Sequence, residues 1–172
     1  HAVLTAKSLL NDDEELLIMF GDTIINCNLQ DFIQAETSLI GIKKVEKPGS
    51  FGIAEIDAKG NIKRLIEKPR IPKSNLGLVG IYKIKDVAKL FIAIEKMVNQ
   101  DLRTNGEFHL TDAFMHMIEA GETMRVQEVD GWYDCGKKET LLQANSLLLH
   151  RPDFPVSEYT EDEETIIIQP VK

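Results

Sequence analysis

Asp22 and Asp134 stand 112 positions apart, yet their surroundings are alike. Phe20-Gly21-Asp22 closes an apolar run, and Trp132-Tyr133-Asp134-Cys135-Gly136 opens a helical pattern. Each predicts an aspartate at a strand–loop–helix junction, where open α/β sheets collect their ligands. Two carboxylates brought to one place can share a hard cation and present it to a phosphate. Glu67-Lys68-Pro69 supplies a third component. Pro69 forces the chain to leave a strand there, so Lys68 sits at a strand end as a point charge for a phosphate, with Glu67 beside it as an acceptor for sugar hydroxyls. Each has an ordinary reading as well. Asp after Gly is a common turn residue, Asp134 suits an N-cap, and a lone Lys-Pro is most often a solvated corner. Trp132 and Tyr133, taken singly, are packing residues before they are stacking platforms.

Other chemistries find little support. His109 and His116 are seven apart, with no further His, Cys or Asp at a zinc-ligand spacing. No G-x-S-x-G elbow, G-x-G-x-x-G turn or P-loop occurs. A formal charge of −8 argues against a nucleic-acid surface, which needs clustered Lys and Arg. It also means that phosphates must be held through a metal, a local lysine or a basic loop borrowed from elsewhere. No apolar stretch approaches the roughly 18 residues of a membrane span, and no signal-peptide pattern opens the chain. Cys27 and Cys135 have no disulfide-framework spacing, which fits a reducing, cytoplasmic setting.

The elements that must position these residues are read from periodicity. Residues 1–10 are Ala- and Leu-rich and read as a helix without an N-terminal cap, so the sequence is expected to begin inside an element. Leu16 to Phe20 is a strand-length apolar run suited to a sheet covered on both faces. Leu29 to Ala35 reads as a short helix and Thr37 to Lys43 as a buried strand. Alternation at Ile53 to Asp57, a turn at Asp57-Ala58-Lys59-Gly60-Asn61 and Ile62 to Glu67 make a hairpin. Leu76 to Ile84 is another strand. Val87, Leu90, Phe91, Ile94, Met97 and Val98 form a helical stripe capped by Asp86. Thr111 to Ala120 repeats that pattern and stops at Gly121. Met124 to Val129 is a strand, and Lys137 to Leu149 a helix. This alternation predicts an α/β fold with a mainly parallel sheet and one inserted β-hairpin. Residues 1–152 form its domain, and residues 153–172 an acidic tail with a short strand.

The segment Glu67-Lys68-Pro69-Arg70-Ile71-Pro72-Lys73-Ser74-Asn75-Leu76-Gly77-Leu78-Val79-Gly80-Ile81-Tyr82 resembles the sugar-1-phosphate nucleotidyltransferases, which include glucose-1-phosphate thymidylyltransferases and uridylyltransferases. The resemblance is collinear over nearly the whole chain, through His1-Ala2-Val3-Leu4, Phe20-Gly21-Asp22, Phe51-Gly52-Ile53, Gly106-Glu107-Phe108-His109-Leu110-Thr111-Asp112 and Asp130-Gly131-Trp132-Tyr133-Asp134-Cys135-Gly136. It implies a Rossmann-like mixed sheet flanked by helices. It implies that Asp22 and Asp134 hold Mg²⁺ between the nucleotide α-phosphate and the sugar phosphate, and that Lys68 binds the sugar-1-phosphate. Gly21, Gly52, Glu67, Leu78 and Trp132 would lie on the substrate side. The implied reaction is in-line attack by the sugar-1-phosphate oxygen on the α-phosphorus of dTTP or UTP, releasing pyrophosphate. Positioning and charge neutralisation would do the catalytic work.

Two departures accompany the resemblance. Cys135 stands where the family usually carries Thr or Val. The family's glycine-rich G-x-G-T-R-L-x-P loop, expected before His1, does not occur in these residues. A carboxy-terminal portion with little activity of its own is therefore expected, its apolar edges covered in a homodimer or higher oligomer. The alternative is a non-catalytic sugar-phosphate-binding or regulatory module of the same descent, for which two metal carboxylates would be superfluous. A glycosyltransferase is weaker, for want of a D-x-D triplet.

Overall fold

The computed structural model describes residues 2–11 and 13–150; the expected acidic tail and terminal strand lie outside them. The chain opens with a short helix α1 (Ala2–Thr5) and a 3-10 turn (Lys7–Leu9), where one longer helix was expected. Among the described residues eight strands follow: β1 (Leu16–Met19), β2 (Thr23–Asn26), β3 (Ser38–Lys44), β4 (Gly52–Ile56), β5 (Ile62–Glu67), β6 (Leu76–Ile84), β7 (Met124–Glu128) and β8 (Gly131–Asp134). They are joined by helices α2 (Leu29–Ile33), α3 (Val87–Asn99), α4 (Leu110–Glu119) and α5 (Lys138–Leu149).

Six strands form the main sheet, in the order β5-β4-β6-β3-β7 with β1 also on β6, and β2 pairs with β8 in a separate two-stranded sheet. The fold is mixed α/β, as expected. The expectation of mainly parallel pairing is corrected: β3–β7 is the parallel pair, and β1–β6, β3–β6, β4–β5 and β4–β6 are antiparallel. The cause is β6. It returns from the hairpin to lie between β3 and β4 and runs against every neighbour it meets. Parallel pairing requires a crossover, which α3 and α4 supply only on the way to β7.

β6 is also the spine of the core, because its side chains alternate. Leu78, Tyr82 and Ile84 join Ile40, Ile42, Leu90, Phe114 and Met117 on the face covered by α3 and α4. Val79 and Ile81 join Phe32, Leu39 and Val129 on the other. On that second face Lys83 is almost fully buried, and its ammonium donates to the carbonyls of Ile33 (2.8 Å) and Ala35 (2.6 Å) and pairs with Glu15 (2.8 Å). A buried charge is tolerable when its donors are satisfied in this way. β1 differs from expectation: Leu17 and Met19 are exposed, since among the described residues it pairs with β6 alone.

The caps are legible in chemical terms. Asp86 accepts the Lys89 amide at 2.9 Å, and this hydrogen bond, with the Lys89 ammonium, holds its carboxyl below the usual range against a smaller opposing effect of burial. Asp86→Ala is expected to cost about 1 kcal/mol at neutral pH. Because the folded-state pKa is depressed, this contribution is full above the unfolded value of roughly 3.9 and is lost as pH falls through the folded one. The stability gap between wild type and variant, measured by denaturant titration, should therefore close under acid conditions. A gap that persisted at pH 2 would assign the cap to something other than the carboxylate.

Candidate functional site

β1 pairs with Ile81 to Ile84 of β6, and β4 pairs with Leu76 and Gly77 on the same edge. Between them Leu78, Val79 and Gly80 have no ladder partner on that side. The Gly80 carbonyl takes the Phe20 amide at 2.9 Å, and Gly80 adopts φ +82° under the Phe20 ring, where a Cβ would stand 2.9 Å from a ring carbon. A cleft of about 530 Å³ opens over this interruption.

Asp22 and Asp134 reach the cleft through the small sheet. β2 and β8 pair antiparallel, with Thr23 opposite Asp134, and the Cys135 amide donates to the Asp22 carbonyl at 2.9 Å. That pairing joins two loops 112 positions apart. Asp22 therefore lies in a turn between two strands, not at a strand–loop–helix junction as expected. Asp134 is the last residue of β8, and its Oδ1 accepts the Gly136 amide at 2.9 Å. Lys137, not Asp134, occupies the N-cap of α5.

Lys68 and Glu67 enter from the end of β5. The Lys68 amide donates to the Phe51 carbonyl at 3.1 Å, and its backbone takes φ +42°, a left-handed conformation uncommon for a residue with a Cβ. Such outliers concentrate at ligand sites. The Lys68 ammonium lies 4.0 Å from Glu67 Oε1. Glu67 is mostly buried, and its other oxygen accepts the Thr111 hydroxyl at 3.0 Å. Gly52 pairs directly with Glu67, and a Cβ there would fall 2.9 Å from Glu67 Oε2, 3.0 Å from Leu78 and 3.3 Å from Thr111. The missing side chain is what leaves space for the carboxylate.

Of the residues singled out from sequence, Asp22, Gly52, Glu67, Lys68, Leu78, Trp132 and Asp134 all line the cleft, whereas Gly21 lies in the turn just outside its wall. Trp132 both packs and lines: it meets Phe51 edge-on with ring centres 4.9 Å apart, and its Nε1–H donates to Thr23 Oγ1 at 2.8 Å. Sequence reasoning gave no role to Thr23, Phe51, Tyr82, His109, Thr111 or Lys137, which also line the cleft. Phe51, Tyr82, His109 and Thr111 belong to the recognised sequence blocks, which was the available signal. Burial, reinforced by the Glu67 charge, pushes the Tyr82 phenol far up, so it stays protonated at physiological pH.

Among the described residues no three His, Cys, Asp or Glu side chains gather as a metal cage. The donor set is the carboxylate pair Asp22 and Asp134 beside an open cleft. Two carboxylates of hard oxygen donors fit a Mg²⁺ ion, which characteristically takes one or two protein carboxylates.

A model of the Nucleotidyl transferase family matches residues 1–151. The chain belongs to that family. Among its nucleotidyltransferase relatives, the low-salt glycan biosynthesis nucleotidyltransferase Agl11 of Haloferax volcanii is 34% identical over 96% of this chain and 46% of its own length. The glucose-1-phosphate thymidylyltransferase of Streptomyces antibioticus is 33% identical over 98% of this chain and 47% of its own. The chain thus spans less than half the length of these curated relatives. In three dimensions, UTP-bound UGPase from Acinetobacter baumannii superposes with a TM-score of 0.70 at 22% identity, over 89% of this chain and 57% of that one, a likeness of fold. No helix among the described residues is long and apolar enough to cross a membrane.

Proposed function

We propose that the protein carrying this chain transfers a nucleotidyl group from dTTP or UTP to a sugar-1-phosphate, with glucose-1-phosphate as acceptor, in the cytoplasm. The reading rests above all on one cleft in which two carboxylates, a strand-end lysine and a buried glutamate converge. Lys68 holds the phosphate of the acceptor. Glu67, steadied by Thr111, accepts a sugar hydroxyl, and Gly52, Leu78 and Trp132 shape the sugar's surroundings. Gly21, in the turn beside Asp22, leaves open space next to the substrate side of the cleft. Asp22 and Asp134 would hold Mg²⁺, which when bound supplies neutralising charge to the phosphates. A sugar-phosphate oxygen forms the new bond to the α-phosphorus as the bond to pyrophosphate breaks, in line. The phosphate nucleophile has no proton to lose, so no general base is needed.

Lys68 and Lys137 are the lysines lining the cleft, and no glycine-rich G-x-G-T-R loop occurs in these residues to cradle a triphosphate. The 172 residues alone are accordingly expected to release pyrophosphate at under about 1% of the rate of the intact protein, given Mg²⁺, UTP or dTTP and glucose-1-phosphate. Comparable turnover by the two would refute that expectation. Absence of pyrophosphate release by the intact protein with any sugar-1-phosphate would refute the function itself.

The same proposal includes self-association. Leu17, Met19 and Phe20 expose apolar surface along β1, whose outer edge is unpaired among the described residues. Light scattering on the intact protein should report a homodimer or larger assembly, and a monomeric mass at micromolar concentration would contradict it.

A further inference from the structure

Lys137 lines the cleft three positions after Asp134, at the N-cap of α5, where it makes no side-chain capping bond. Lys7, Lys83, Lys85 and Lys89 each pair with a carboxylate, and Lys68 has Glu67 at 4.0 Å. Lys137 forms no ion pair among the described residues. Most lysines among the described residues are likewise without one, so what sets Lys137 apart is its place in the cleft wall that Asp22 and Asp134 also line. Asp22, Glu67 and Asp134 give the cleft wall more fixed negative than positive charge. With the aspartates engaged by a cation, Lys68 and Lys137 are the lysine side chains of the cleft wall available to a phosphate ester. They approach from different elements, Lys68 from the end of β5 and Lys137 from the start of α5. The first-turn amides of α5 add positive potential on the Lys137 side.

We propose that Lys137 is a second phosphate-binding residue of the cleft, contacting a phosphate ester from the Asp134 side while Lys68 contacts it from the Glu67 side. This rests on reading the cleft as a sugar-phosphate and nucleotide site. The two-sided grip would let a cleft whose own side chains carry more negative than positive charge discriminate a phosphate ester from the neutral sugar.

The test is calorimetry on the intact protein with Mg²⁺, using glucose-1-phosphate, UTP and neutral glucose as separate probes over a range of salt. Lys137→Met should weaken binding of at least one of the two phosphate probes about tenfold and flatten its salt dependence, with glucose binding unchanged. Lys137→Arg should recover most of the affinity, because charge and not shape is required. Lys138→Met, which removes the neighbouring exposed lysine outside the cleft wall, should have no effect. Unaltered affinity and salt slope in Lys137→Met, or an equal loss for glucose and both phosphates, would overturn the proposal while leaving the cleft reading intact. If the wild-type protein bound neither phosphate probe, both would fall together.

Discussion

Asp134→Asn should lower kcat/KM of the intact protein about 10³-fold while leaving its stability close to wild type. The substitution isolates charge from structure. Asp134 Oδ1 accepts the Gly136 amide at 2.9 Å, and an asparagine carbonyl can accept that same hydrogen bond, so the turn out of β8 is retained. What is lost is the negative charge of one of the two carboxylates proposed to hold Mg²⁺. The defect should therefore be eased by raising the Mg²⁺ concentration, which a misfolded variant would not show. On the proposed reading that both residues serve one cation, Asp22→Asn should behave alike and the double variant should be little worse than either single one. Near-normal turnover in Asp134→Asn at low Mg²⁺ would remove the metal role from the pair. Pyrophosphate release, followed as a function of Mg²⁺, reads all of these outcomes.

Lys68 carries the second large effect, and its backbone makes the prediction two-sided. At φ +42° the lysine sits where glycine is at ease and a Cβ is strained. Lys68→Ala keeps the strain and loses the charge, whereas Lys68→Gly loses both. Both variants should bind glucose-1-phosphate about 100-fold more weakly, as expected for deletion of a charge-assisted contact. The glycine variant should nevertheless be more stable than the alanine variant by about 1 kcal/mol. Calorimetry with glucose-1-phosphate and denaturant titration give the two readouts. A glycine variant less stable than alanine would mean that the positive φ is not a strained feature of the native fold. Full retention of sugar-phosphate affinity would mean that Lys68 is a corner residue and not a ligand.

Much of the local structure was legible because local signals are strong where elements are long. The stripe from Val87 to Val98 fixes α3, Asp86 marks its start, and the strand-length segment from Leu76 to Ile84 reads as β6 at its observed bounds. β2 and β8 escaped because four residues are too few to show a period. Thr23-Ile24-Ile25-Asn26 and Gly131-Trp132-Tyr133-Asp134 become strands only by pairing with each other, a contact whose free energy is absent from either segment alone. The reversed direction of β6 was equally hidden, since an apolar run carries no arrow. The exposure of Leu17 and Met19 depends on which strands flank β1, and that too is a property of the sheet.

The candidate site divides in the same way. Sequence alone determined its ingredients: two aspartates that follow apolar or aromatic segments, a lysine stopped at a strand end by Pro69, and Glu67 beside it, in an order that resembles one family. Tertiary structure alone decided that these ingredients meet. The β2–β8 pairing joins the two aspartate loops, and the break between β1 and β4 along β6 opens the cleft beneath them. Packing of α4 on β5 turns Thr111 onto Glu67, the β4–β5 pairing sets Gly52 against that carboxylate, and the start of α5 after β8 adds Lys137 to the wall. Residue chemistry is carried by each side chain wherever it stands, so the sequence can announce it. Proximity is bought only when burial and pairing outweigh the entropy of closing loops as long as the one between Asp22 and Asp134, and that balance belongs to the whole fold.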